Sequence, residues 1–367
     1  MKNKKQRDLF LCNSVYQLLN ALNLRMHVFK DDAADIIITD IFPDHIAAAE
    51  RLKKSGLFDT VYCEDAKFIF RQQYKHTRGY VNLIRVAPSA LLRKAGPVPR
   101  KKYQRFLTAG FDDYISLLYI VLQRKNRHIE HLRFEDGGSS YVKDHAVVND
   151  VERRMKRLFG IRPIGEILAP MYLYEPALYC MRDGREVRQL PKLSKDDKVF
   201  IDTVSAVFGC AESEKLERRA VFFEASYYAD GLETNDRELV GLCKRILGDE
   251  LEIKLHPRNG VNRFEGEGVA VFGSDMPWEL YCLSNDVSGK TLISVTSNAA
   301  ISPQLFLEKP PRTVLLYKLF RGRDVLLEVE EYRTYLKKLL AKCPRISVPE
   351  DEAELEKALA CSGQDED

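Results

Sequence analysis

The β-branched run Asp35-Ile36-Ile37-Ile38-Thr39 lies between two stretches of helical spacing, and this alternation constrains the fold more than any other feature. A run without polar alternation reads as a strand buried on both faces. Before it, residues 8–12 form a short apolar strand. Asn13-Ser14 can then cap a helix that carries Val15, Leu18, Leu19, Leu22 and Met26 at helical intervals. After it, residues 47–57 read as a helix closed by Gly56, and residues 60–63 as another strand. Strands and helices alternating through short links build a parallel, doubly wound α/β sheet.

The pattern continues as a long helix over 103–124 and a strand over 131–134, which runs straight into Glu135-Asp136-Gly137-Gly138. Residues 160–195 hold Pro163, Pro170, Pro176 and Pro191 with little periodicity, as suits a linker. A second alternating series follows. Phe200, Val204 and Val207 share a helix face; strands are expected over 220–223, 252–255, 291–295 and 313–317, and helices over 236–247 and 278–283. The chain has 367 residues. At roughly 150 residues per domain this gives two domains, expected at 1–190 and 191–367. Two Rossmann-like domains are expected to face each other across a cleft, with ligands at the C-terminal ends of the strands.

Composition excludes several classes. Fifty-seven basic against 54 acidic residues give +3, too balanced to imply nucleic acid. No apolar run approaches a membrane span, and MKNKKQRDLFLCNS lacks the apolar core of a secretory signal, so a cytoplasmic location is expected. The eight cysteines are scattered with no C-x-x-C pair, and the seven histidines form no H-x-x-x-H pattern, so no structural metal is expected. Residues 71–102 hold many Lys and Arg, with Tyr74 and Tyr80, a break at Gly96, Pro97 and Pro99, and no Asp or Glu. Such a segment suits either a solvated loop or a surface drawn to phospholipid headgroups or a charged glycan. The closing GQDED reads as a frayed acidic tail.

Three groups directly after expected strands could carry chemistry. In Glu135-Asp136-Gly137, successive residues point to opposite faces, so one carboxylate reaches the ligand side, and the glycines allow a sharp turn. In Lys254-Leu255-His256-Pro257-Arg258, an imidazole between two cations suits an anion such as a departing phosphate. In Thr296-Ser297-Asn298, small polar residues open a helix whose N–H groups favour an anion. An acidic turn, a basic turn and a plain helix cap would explain the same residue types structurally. Ser284 to Thr291 ends in Gly-Lys-Thr but lacks the leading glycine and runs into a strand, so it is no P-loop; no G-x-G-x-x-G or G-x-S-x-G motif occurs.

Glu135-Asp136-Gly137, His256-Pro257 and Thr296-Ser297, in this order and wide spacing, resemble the signatures of bacterial sialyltransferases, most closely the family-52 glycosyltransferases of lipooligosaccharide and capsule synthesis. The opening LFLCNSVYQLLNAL is also similar to that family, so the resemblance spans most of the chain. Ser297 is followed by Asn298 where some members carry two serines. The resemblance implies a GT-B fold with an acceptor-binding first domain and a nucleotide-binding second domain. It implies an inverting transfer from a CMP-sialic acid donor, with no cofactor or metal, in keeping with the missing D-x-D motif.

Under that resemblance Asp136 takes the acceptor proton, or Glu135 if the register is reversed. His256 assists departure of CMP, and Thr296, Ser297 or Asn298 hold its phosphate, with Lys254, Pro257 and Arg258 flanking His256; Gly137 lets a substrate approach the backbone closely. Pro277-Trp278-Glu279 looks like a further family element in which Glu279 accepts the ribose hydroxyls, a pairing that suits a carboxylate and a diol; an ordinary acidic first-turn residue is the plainer alternative. Trp278 itself reads as core. The expected partners are a CMP-sugar donor and a glycan acceptor, lipid-linked or anionic, met by peripheral, salt-sensitive contact at the inner face of the membrane. Dimers among the family's members extend the expectation to a homodimer. Another CMP-activated nonulosonic acid, CMP-Kdo or CDP-glycerol remains open as donor, as does a non-catalytic glycan-binding role.

Overall fold

The computed structural model describes residues 6–42, 44–64, 66, 101–142, 164–210, 215–274 and 276–360. Most of the basic 71–102 segment and the acidic tail lie outside the described residues. The chain divides into two compact units, one of Met1–Pro191 with Asp202–Gly209, the other of Lys192–Ile201 with Cys210–Asp367.

The first unit holds a parallel sheet ordered β3-β2-β1-β4-β5-β6-β7. Its strands are β1 (Arg7–Cys12), β2 (Ala33–Thr39), β3 (Thr60–Glu64), β4 (Arg105–Thr108), β5 (Glu130–Phe134), β6 (Met171–Leu173) and β7 (Val187–Gln189). Helices α1 (Val15–His27), α2 (His45–Ser55) and α3 (Asp113–Lys125) connect them. Ser14 caps α1 by accepting the Gln17 N–H, and Gly56 ends α2 in the left-handed conformation (φ 68°) that glycine adopts without strain. Leu9 sits in register with Asp35 on one side and Phe106 on the other. Leu9, Leu11, Ile37 and Phe106 meet Tyr119 and Leu122 of α3 in one core. Buried charges are paired within the sheet: Asp8 takes a fork from Arg105 (2.6 and 2.7 Å), and Asp35 accepts from Lys101 (2.7 Å) and Tyr103 (2.6 Å).

Two sequence expectations are corrected here. Residues 103–124 are not one helix: β4 occupies the first part, between β1 and β5, and α3 starts only after Asp112 caps it (Oδ1 to the Ile115 N–H, 2.7 Å). Arg105-Phe106-Leu107-Thr108 is too short for periodicity to decide, and pairing on both sides makes it strand. The described part of the expected linker over 160–195 is no linker up to Pro191 either, because there β6 and β7 extend the first unit's sheet. Pro170 precedes β6 and contributes its carbonyl, which accepts the Arg133 N–H (2.8 Å), so the proline does not break the ladder.

The second unit has a parallel sheet ordered β10-β9-β8-β11-β12-β13. The strands are β8 (Ala220–Phe223), β9 (Leu251–Lys254), β10 (Ala270–Val271), β11 (Thr291–Ser294), β12 (Arg312–Leu315) and β13 (Ile346–Ser347). Around them run α4 (Lys198–Phe208), α5 (Asp236–Leu247), α6 (Trp278–Ser284), α7 (Asn298–Phe306), α8 (Glu330–Lys342) and α9 (Glu352–Ala360), with α4 divided between the two units. Phe200, Val204 and Val207 are buried together on α4 as their spacing requires. Phe222, Leu239, Val240, Ile253, Ile293 and Val314 form the centre of the core. In each sheet the chain order reverses beside a central strand, between β1 and β4 and between β8 and β11. Crevices at such reversals, at the carboxyl ends of the strands, are where open α/β sheets bind ligands. Among the described residues no helix is long and apolar enough to cross a membrane.

Candidate functional site

At the carboxyl end of β5 two neighbouring carboxylates have different surroundings. Glu135 is 0% exposed. Its oxygens accept from the Tyr16 hydroxyl (2.7 Å), the Tyr141 hydroxyl (2.5 Å) and the Tyr174 N–H (2.9 Å). Asp136 is half-buried. Its Oδ2 accepts from Gln17 Nε2 (2.9 Å), while its Oδ1 takes no hydrogen bond among the described residues. Its backbone N–H donates to Ser140 Oγ (2.8 Å), and Gly137 turns the chain at φ 80°, ψ −164°, a conformation open essentially to glycine alone. Burial pushes the Asp136 carboxyl above its ordinary range, against the opposing pull of Gln17 and Arg133. A half-buried carboxylate of raised basicity with an uncapped oxygen can take a proton from a hydroxyl.

Next to it lies the reversal between β1 and β4. Thr39 Oγ1 donates to Asn13 Oδ1 (2.8 Å), Asn13 Nδ2 donates to Asp112 Oδ2 (2.8 Å), and the Asn13 N–H donates to Gln17 Oε1 (2.7 Å). A continuous line of hydrogen bonds therefore runs from the end of β2 to Asp136.

In the second unit, His256 follows β9 and is half-buried. Its Nδ1 accepts the Arg258 N–H (3.2 Å), which places the proton of the neutral ring on Nε2. Burial and then Arg258 lower its basicity, while Glu224 and Asp230 oppose this. Glu224, 2% exposed directly after β8, accepts the His256 N–H (2.8 Å) and two bonds from Arg263 (3.1 and 2.8 Å), which also reaches Asp236 (2.5 Å). Lys254 donates to the Ser274 carbonyl and lies over the Phe272 ring, Pro257 is exposed, and Arg258 pairs with Asp230.

The end of β11 carries the hydroxyl group of candidates. Thr296 Oγ1 donates to Asp324 Oδ2 (3.0 Å), which also accepts from Tyr227 (2.7 Å). Ser297 caps α7, its Oγ accepting the Ala299 N–H (3.3 Å), and its own N–H donates to Ser294 Oγ (2.9 Å). Asn298 opens that helix and is half-buried. Glu279 is 7% exposed at the start of α6; it accepts from Ser302 (3.0 Å), and burial raises its carboxyl. Trp278 packs edge-on to Phe223 (4.7 Å) and stacks on Tyr281, donating to the Ala299 carbonyl, and so belongs to the core.

The structure thus gathers Glu135, Asp136 and Gly137 at one strand end of the first unit. It sets Lys254, His256, Pro257 and Arg258 at the end of β9, with Thr296, Ser297 and Asn298 at the end of β11 and Glu279 on α6. Sequence reasoning missed Gln17, Glu224, Arg263 and Asp324. Gln17 did carry one signal: Ser14-x-x-Gln17 is a helix-start pattern, although here the glutamine reaches past the cap residue to the Asn13 N–H.

No family model matches the chain, and no curated protein matches its sequence. Solved structures do match in fold. An alpha/beta-galactoside alpha-2,3-sialyltransferase from Photobacterium phosphoreum aligns over 95% of this chain and 99% of that one, at 9% identity and a TM-score of 0.51. The UDP-GlcNAc 2-epimerase from Methanocaldococcus jannaschii aligns over 98% and 93%, at 9% identity and the same TM-score. Two parallel-sheet units and these neighbours give the chain a GT-B-like two-domain fold. A transferase and an epimerase share that likeness, so the chemistry has to be argued from side chains.

Proposed function

We propose that this chain is a glycosyltransferase, and specifically an inverting, metal-independent sialyltransferase that moves sialic acid from CMP-sialic acid to a hydroxyl of a bacterial surface glycan. The observation that carries the reading is the contrast at the end of β5. Glu135 is buried under tyrosine and backbone donors, whereas Asp136 keeps one oxygen uncapped and a raised carboxyl. The order of the acidic-Gly, His-Pro and Thr-Ser motifs and the fold likeness to a bacterial sialyltransferase support it.

In the proposed step the acceptor oxygen attacks the anomeric carbon of sialic acid. The bond from that carbon to the CMP phosphate oxygen breaks, and its electron pair leaves on the phosphate. The acceptor proton passes to Asp136 Oδ1, and the His256 Nε2–H stays on the ring and donates a hydrogen bond to the departing phosphate, which leaves unprotonated on CMP. A single displacement inverts the anomeric centre. Lys254 and Arg258 add positive charge near the phosphate, while Thr296, Ser297 and Asn298 contact its oxygens. Glu279 accepts the ribose diol, and Gly137 lets the acceptor approach the backbone. The first unit holds the acceptor and the second the nucleotide. A lipid-linked or anionic acceptor would draw the basic residues 71–102 to the inner membrane face, with the protein acting as a homodimer.

The test is release of CMP from CMP-sialic acid in the presence of EDTA, with and without galactoside acceptors. Acceptor-stimulated release that Asp136→Ala and His256→Ala each lower by about 10²–10⁴-fold is expected. Full activity in either variant would overturn the role assignments. No release from CMP-sialic acid, or release only from another activated sugar, would overturn the donor.

A further inference from the structure

We infer that Gln17 is the positioning residue for the Asp136 carboxylate: it holds Oδ2 and leaves Oδ1 as the oxygen that meets the acceptor hydroxyl. The inference rests on the reading of Asp136 as the proton acceptor.

A glutamine amide presents either an oxygen or an NH2 group, and hydrogen-bond partners decide which. Here the Asn13 N–H donates to Gln17 Oε1 (2.7 Å), so the NH2 group is the end turned to Asp136 Oδ2 (2.9 Å). Gln17 is buried, and its own N–H is held by the Ser14 cap. Asn13 is fixed in turn by Thr39 (2.8 Å) and by its bond to Asp112 (2.8 Å). Through Asn13, which follows β1, the amide is therefore anchored to the end of β2 and to the cap residue of α3 before it reaches the carboxylate. The Asp136 backbone N–H is tied to Ser140 Oγ. With its main chain and one oxygen held, the side chain retains little freedom, and the uncapped Oδ1 is the acceptor site left to substrate.

The groups that face Asp136 come from several elements. Gln17 comes from α1, Arg133 from β5 itself and the buried Cys12 thiol from β1, while Gly110 after β4 is close enough that an added Cβ would lie 4.0 Å from Oδ2. Gln17 and Arg133 both lower the carboxyl, against burial. Removing the Gln17 bond should therefore make Asp136 harder to ionise as well as less well aimed.

The experiment compares wild type, Gln17→Met and Gln17→Glu. Gln17→Met keeps length and burial but cannot donate. It should lower kcat by about tenfold to a hundredfold, as misaligned reacting groups do, with donor KM unchanged and the acid limb of the pH profile moved upward. Gln17→Glu keeps an acceptor for Asn13 but sets a second carboxyl beside Asp136, and should move that limb further up. A merely structural glutamine would lower stability without moving the limb.

Carbon-13 carboxyl titration of Asp136 in the ligand-free protein, assigned by its loss in Asp136→Asn, gives a readout independent of turnover. An upward move in Gln17→Met is expected. An unmoved titration, or an unmoved acid limb with wild-type kcat, overturns the inference. A moved titration in Gln17→Met, with a wild-type protein that never turns over CMP-sialic acid, upholds the contact and overturns the functional reading instead.

Discussion

Replacing Glu135 with alanine should destabilise the first unit severely, whereas replacing its neighbour Asp136 should chiefly remove activity. Glu135 receives the Tyr141 hydroxyl and the Tyr174 N–H, both buried, and the half-buried Tyr16 hydroxyl. Taking the carboxylate away costs each buried donor this acceptor, about 1–3 kcal/mol apiece, while Tyr16 can turn to water. The sum, about 2–6 kcal/mol, is a large share of the roughly 5–15 kcal/mol that holds a domain folded. For a unit of this size each kcal/mol shifts Tm by about 2–4 °C, so a fall of about 4–24 °C is expected. The assay is thermal unfolding followed by far-UV circular dichroism, with CMP release measured on the folded fraction below the transition. Residual activity per folded molecule should stay within an order of magnitude of wild type. A Tm within about 2 °C of wild type, or an Asp136-like collapse of activity in a stable Glu135→Ala protein, would refute the assignment of structural and chemical roles to this pair.

Three further outcomes follow from the same geometry. Asp136→Asn should raise stability at neutral pH, because the folded state holds its proton more tightly than the unfolded chain; stability then falls as pH rises from about 3.9 through the raised folded value, and the gain from the variant should vanish below that window. Unfolding of both proteins at pH 3 and pH 7.5 checks this. His256 has the opposite sign: its lowered basicity means that the unfolded chain protonates first, so stability is lost as pH falls below about 6.5, and His256→Gln should flatten that slope in a Tm-against-pH series. Arg263→Met should cost about 3–5 kcal/mol in urea unfolding, since it strands the buried Glu224 and Asp236 carboxylates; a change within error would show that they are not charged partners of Arg263.

Much of the fold was legible because parallel strands buried on both faces leave continuous apolar runs. The strands at 35–39, 220–223 and 291–294 and the helix over 236–247 stand out for that reason. The strand around Phe106-Leu107 did not, since its neighbours in sequence carry helical spacing and only pairing with β1 and β5 decides it. β6 and β7 are three residues each, too short for any period to register.

At the candidate site, strand ends marked Asp136 and His256, and alternation said that one of Glu135 and Asp136 would face inward. Which one depended on partners far along the chain, Tyr16 and Gln17 at 119 residues' separation from the two carboxylates, and no local pattern encodes those. Glu224 is the same case: an acid after a strand is visible in sequence, but its bond to the His256 N–H is set by the adjacency of β8 and β9.

The central claim, a CMP-sugar site that works without metal, is tested most directly by thermal unfolding with CMP, CDP, UMP, UDP and GDP, each with and without EDTA. A nucleotide at 100 times its dissociation constant adds about 2.7 kcal/mol, well within reach of a melting curve. The account predicts a shift with CMP that exceeds those of the other nucleotides and survives EDTA. A preference for CDP or a uridine nucleotide, a shift abolished by EDTA, or no shift with any of them would contradict it.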